Sequence, residues 1–204
     1  MKKPMPALSK ALLVASTLLL GACAGETTSP KAVRDAPLEA TKALVGAVDA
    51  VYTYTINPQV ANTLSFGASR LTLPRQAICR LATTSYGPDF WNRECDDEER
   101  MVTITAVVRN ALTNKPSIEF APAMRFSPDA NVQLYLKVDN AATLSSLATV
   151  LYCGPFSTLC VDESLSDASL RTTIDPTNNT VSRRIKHFSG YTVAERSGPD
   201  ISTP

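Results

Sequence analysis

A chain of 204 residues suits one domain together with targeting and linker segments. Its 44% hydrophobic residues suffice to close a core without a metal, and its 19% charged residues sum to a net charge of +1. That balance excludes the basic field a nucleic-acid partner requires, and scarce aromatics nowhere interleave with basic residues.

Taken in order, residues 1–22 read as a signal peptide. Lys2, Lys3 and Lys10 supply the positive start, and residues 11–20 form an apolar run too short to span a bilayer. The run ends in Leu20-Gly21-Ala22-Cys23, which resembles the lipobox of bacterial lipoproteins, with Gly21 where alanine, serine or threonine is more usual. The resemblance implies cleavage before Cys23, a diacylglyceryl thioether on its sulfur and an acyl chain on its amino terminus. At about 0.8 kcal/mol per buried methylene, several chains anchor firmly where one would not. Ala24 stands where an aspartate would favour the inner membrane, so the expected location is the outer membrane. An ordinary secretory signal would instead leave a soluble periplasmic protein. Residues 23–47 read as the lipidated cysteine and a flexible tether, although Leu38, Val45 and Val48 have the spacing of a short helix.

Period-two alternation then dominates. The clear runs are residues 51–56, residues 70–73 stopped by Pro74, residues 102–108 and residues 132–138. Weaker candidates lie at 118–120, 149–152, 170–174, 181–185 and 191–195, with Asn178-Asn179 as a hairpin tip. About nine short strands, with no long amphipathic helix, predict an all-β antiparallel β-sandwich over residues 48–196. Residues 197–204, polar and with two prolines, read as a disordered tail.

Setting Cys23 aside leaves Cys79, Cys95, Cys153 and Cys160. An even count in an exported chain reads as disulfides with three possible pairings, of which the short separations favour Cys79–Cys95 and Cys153–Cys160. Neither pair has CxxC spacing, and His187 is the only histidine, so no metal or other cofactor is expected. Glu94, Asp96, Asp97, Glu98 and Glu99 surround Cys95 without the alternating pattern of a calcium loop, and read as a solvated loop. Arg183-Arg184-Ile185-Lys186 reads as the outward face of a strand, and Asn178-Asn179-Thr180 fits a glycosylation sequon of little meaning in a bacterial lipoprotein. With no G-x-S-x-G and a single histidine, a conventional serine hydrolase is rejected.

Four pieces carry a wider resemblance: Leu71-Thr72-Leu73-Pro74, the strand at 101–108, the segment from Phe120-Ala121-Pro122 to Phe126-Ser127-Pro128, and His187-Phe188-Ser189-Gly190-Tyr191. Their order resembles the ZU-type β-sandwich of ankyrins, netrin receptors and zonula occludens proteins, and more nearly its bacterial exported versions. The chain departs from that pattern by an apparent insertion over 79–99 and by Ala123 where a glycine is expected. In some relatives an HFS tripeptide marks self-cleavage, which here would fall between Phe188 and Ser189. Ser189 would attack the Phe188 carbonyl, His187 would accept its proton, and water would open the ester. Such a reaction needs a strained ground state, and Gly190 permits the tight corner that could store it. On the structural reading of the same residues, Phe188 plugs the core, His187 and Ser189 bond backbone groups, and Gly190 lets the chain turn toward Tyr191.

The expectation is therefore a lipid-anchored envelope module bound to the membrane, with an unidentified protein or glycan partner. The alternative is a self-cleaving domain, whose enzymology is at most a single turnover.

Overall fold

The computed structural model describes residues 48–154 and 159–195. The signal, Cys23, the tether and the tail lie outside them. Among the described residues eleven strands form two antiparallel sheets, and the only helical pieces are 3₁₀ turns. The strands are β1 (Val48–Ile56), β2 (Asn62–Phe66), β3 (Ser69–Leu73), β4 (Val102–Arg109), β5 (Ser117–Ala121) and β6 (Gln133–Lys137). They continue with β7 (Ala148–Cys153), β8 (Cys160–Val161), β9 (Thr173–Asp175), β10 (Thr180–Arg184) and β11 (Gly190–Glu195). One sheet runs β1-β4-β5-β11-β7-β8 and the other β2-β3-β6-β10-β9. The expected sandwich is what forms.

Alternation builds each layer. In β6, Leu134 and Leu136 face the core while Gln133, Tyr135 and Lys137 face away; in β4, Ile104, Ala106 and Val108 face inward. Between the sheets Leu64, Phe66, Leu71, Ile118, Phe120 and Val193 meet in one continuous core. Phe66 anchors one end, taking the edges of Tyr52, Tyr54 and Phe120.

Several expectations are corrected. Val48 opens β1 instead of belonging to a helix. The strand expected at 170–174 begins only at Thr173, because Asp167 caps a 3₁₀ turn over Ala168–Leu170 by accepting from the Ser169 amide. Both disulfides pair as the separations favour, Cys79 with Cys95 and Cys153 with Cys160. The acidic cluster is not simply a solvated loop: Glu98 is buried and accepts from the amides of Leu81 and Arg100 and from the Arg100 guanidinium. The Arg100 guanidinium and these amides hold its carboxyl down to about 2.

Candidate functional site

The HFSGY segment is the corner where the chain leaves β10 in one sheet and enters β11 in the other. Its backbone is laddered on the way. The Phe126 amide donates to the Lys186 carbonyl at 2.9 Å, the Phe188 amide to Met124 at 2.7 Å, and the Phe120 amide to Ser189 at 3.0 Å. Phe188 is fully buried, stacked on Phe120 at 4.6 Å with the edge of Phe126 against it. It plugs the core, as the structural reading requires.

His187 points to the other side of the corner and is fully buried as well. Its imidazole stacks on Trp91 at 4.0 Å and receives the edge of Tyr152 at 4.7 Å. Nε2 lies 2.9 Å from Oε1 of Glu163, so the carboxylate accepts the proton that nitrogen carries. Nδ1 lies 3.3 Å from the phenol oxygens of both Tyr86 and Tyr191. Each phenol has one proton, and a shorter bond takes it: Tyr86 donates to the Phe188 carbonyl at 2.7 Å, and Tyr191 to the His187 carbonyl at 2.6 Å. Burial pushes both phenols up. The Ser189 hydroxyl donates to the Cys153 carbonyl at 3.1 Å, so its proton is directed away from the imidazole.

Two segments close this cage. Tyr86 and Trp91 come from the long β3–β4 connection, stapled at its base by Cys79–Cys95. Arg125 holds that connection by donating to Thr84 Oγ1 and to the carbonyls of Phe90, Arg93 and Glu94. Glu163 comes from the segment after β8, which the Cys153–Cys160 bond joins to β7. Its second oxygen accepts from Arg183 at 2.7 Å, and Arg183 also donates to the Val150 carbonyl at 2.5 Å. Arg183 is thus an inward residue, contrary to the outward face expected of it, because Val181, Arg183 and Ile185 alternate on the core side. Lys186 is likewise buried, donating to Asn92 and Asp167; that bond holds the Asp167 carboxyl down to about 2.

Of the residues singled out in the sequence, His187, Phe188, Ser189, Gly190 and Tyr191 gather at one corner, with Cys153 against Ser189. Cys79 and Cys95 act at a distance through their loop. Sequence reasoning missed Tyr86, Trp91, Glu163 and the inward turn of Arg183; only the last had a signal, its place in the alternation with Val181 and Ile185. Among the described residues no group of three or more His, Cys, Asp or Glu is disposed to hold a metal ion. Compared with family models, with curated proteins and with solved structures, the chain matches none.

Proposed function

We propose that this chain is a lipid-anchored β-sandwich of the bacterial outer membrane, of the ZU type, serving as a binding or structural module. The lipobox ending at Cys23 supports the anchor, and the order of the four sequence pieces supports the ZU type. The observation that carries the module reading is the dense hydrogen bonding of the HFSGY corner. The Phe188 carbonyl of the candidate bond and the His187 carbonyl before it accept phenol protons, the Phe188 amide donates to the Met124 carbonyl, and the Ser189 hydroxyl donates to the Cys153 carbonyl. Bonding of this kind supports a corner that holds the two sheets together.

One observation favours self-cleavage as a second reading. The Tyr86 hydroxyl donates to the carbonyl that would be attacked, and Glu163 orients the imidazole that would serve as base. For cleavage, Ser189 would rotate away from Cys153, its oxygen would bond the Phe188 carbonyl carbon, and its proton would pass to His187 and on to the departing amine. Water would then hydrolyse the ester.

The deciding experiment is the intact mass of the chain extracted from membranes and denatured. The module reading expects one species beginning at an acylated Cys23 and uncut between Phe188 and Ser189, with the acyl mass lost in Cys23→Ser. Two fragments meeting between Phe188 and Ser189, absent in Ser189→Ala, would replace it with the second reading. An unacylated chain would remove the membrane anchor.

A further inference from the structure

The outer face of the five-stranded sheet carries a group of polar side chains that the core does not need. Register places Arg70 of β3 opposite Tyr135 of β6, and Tyr135 opposite Ser182 of β10. One rung along, Lys137 lies opposite Thr180, and Thr180 opposite Asp175 of β9. Neighbouring columns stand about 4.8 Å apart and the two rungs roughly 7 Å apart, because side chains on one face recur every second residue. These groups line a cleft of about 470 Å³ on a sheet face that would otherwise be flat. The Arg70 guanidinium lies over the Tyr135 ring at 4.1 Å, while Lys137 Nζ reaches the Asn178 carbonyl at 2.7 Å. The facing carboxylate, Asp175, is already engaged by the Asn178 amide and side chain.

We infer that this cleft, on the face of β3, β6, β10 and β9, is a binding site for an anionic saccharide, with Arg70 and Lys137 as its charge-reading residues. Hydroxyl, ammonium, guanidinium and carboxylate groups on one sheet face match the donors and acceptors of a polyhydroxylated ring. Two cations against one engaged carboxylate select for negative charge. A protein interface would want an apolar anchor at its centre, and none of the large exposed hydrophobic side chains lies on this face. Single-stranded nucleic acid would want several open stacking rings, whereas Tyr135 is alone here and covered by Arg70.

The inference rests on the module reading and names its ligand class. The test is calorimetric titration of the mature chain in detergent with oligogalacturonate, its neutral methyl ester, and a phosphorylated mannan oligomer. The two charged probes distinguish carboxylate from phosphate as the recognised group. Saturable binding to at least one charged probe is expected, weakening with added salt and at least tenfold weaker for the methyl ester. Lys137→Gln and Arg70→Gln should each weaken it at least tenfold without moving the melting temperature. Thr103→Ala, on the outer face of the other sheet, should leave it unchanged. Equal affinity for the methyl ester, indifference to both variants, or no saturable binding to either charged probe overturns the site. Each of these leaves the module reading standing, since that reading falls only on the cleavage seen by mass.

Discussion

Glu163 is the residue on which the corner depends, since one carboxylate serves both the His187 ring and the buried Arg183 guanidinium. Two charges removed from water are stabilising only while each has its partner. Glu163→Gln keeps the shape but leaves Arg183 charged and uncompensated at almost zero exposure. The expected loss is about 3–5 kcal/mol of unfolding free energy, read by urea titration. Glu163→Gln combined with Arg183→Met should recover most of it, because the pair is then replaced by uncharged groups. A Glu163→Gln single variant as stable as the parent would show that the buried pair is not what holds the corner. Phe188 makes the complementary case: it makes no use of charge, and truncation to Ala should cost about 3–5 kcal/mol through the cavity left among Phe120, Phe126 and the sheets.

At the scale of elements, the β3–β4 connection is an excursion of the chain stapled at its base by Cys79–Cys95. Cys79–Cys95 closes a separation of 16 residues, which the chain-entropy picture values at about 3 kcal/mol. The Cys79→Ser, Cys95→Ser double variant should lose about that much stability. Trp91, the single tryptophan of the sequence, reports the local event, because it is buried against His187 and Tyr86 within this cage. Its emission should shift to the red in the double variant under native conditions, while the far-ultraviolet dichroism of the sheets persists. An unshifted spectrum would mean that Arg125 holds the loop without the bond. What the sequence made legible follows the same physics. Strands with several inward residues in strict alternation, such as β4 and β6, announce themselves. The strand β2 does not, because only Leu64 and Phe66 face inward there, whereas the flanking Val132 and Val138 extend the inward alternation of β6 to four residues. The two-residue β8 follows from the Cys153–Cys160 pairing and from no pattern of its own. Arg183 was misread because its charge outweighed its position, yet Val181 and Ile185 on either side already placed it inward. The cage around His187 was illegible for a different reason: Tyr86 and Glu163 are brought to it across 101 and 24 residues of sequence.

For the whole molecule, the two stapled segments make stability depend on acid in a defined direction. Glu98 fixes the start of β4 to the Cys79–Cys95 loop, and Asp167 ties the segment after β8 to Lys186 at the corner. Both carboxyls sit at about 2 in the folded chain, against ordinary values of 4.5 and 3.8. A carboxyl held below its unfolded value binds fewer protons when folded, so its contribution is whole above the unfolded value. It disappears as the pH falls through the folded one. Glu98, almost fully buried, contributes about 2 kcal/mol, and Asp167, a quarter exposed, about 1 kcal/mol after allowance for solvent screening. Unfolding free energy should therefore be level with respect to these groups from pH 7 to about 5, then fall by roughly 3 kcal/mol between about pH 4.5 and 2. Urea titrations at pH 7, 5, 3.5 and 2.5 measure this directly. Glu98→Gln and Asp167→Asn should lower stability at pH 7 and flatten the acid limb together, because a side chain that cannot ionise loses the pairing and its pH dependence at once. A variant that lowers stability equally at every pH would locate its effect in packing and not in charge.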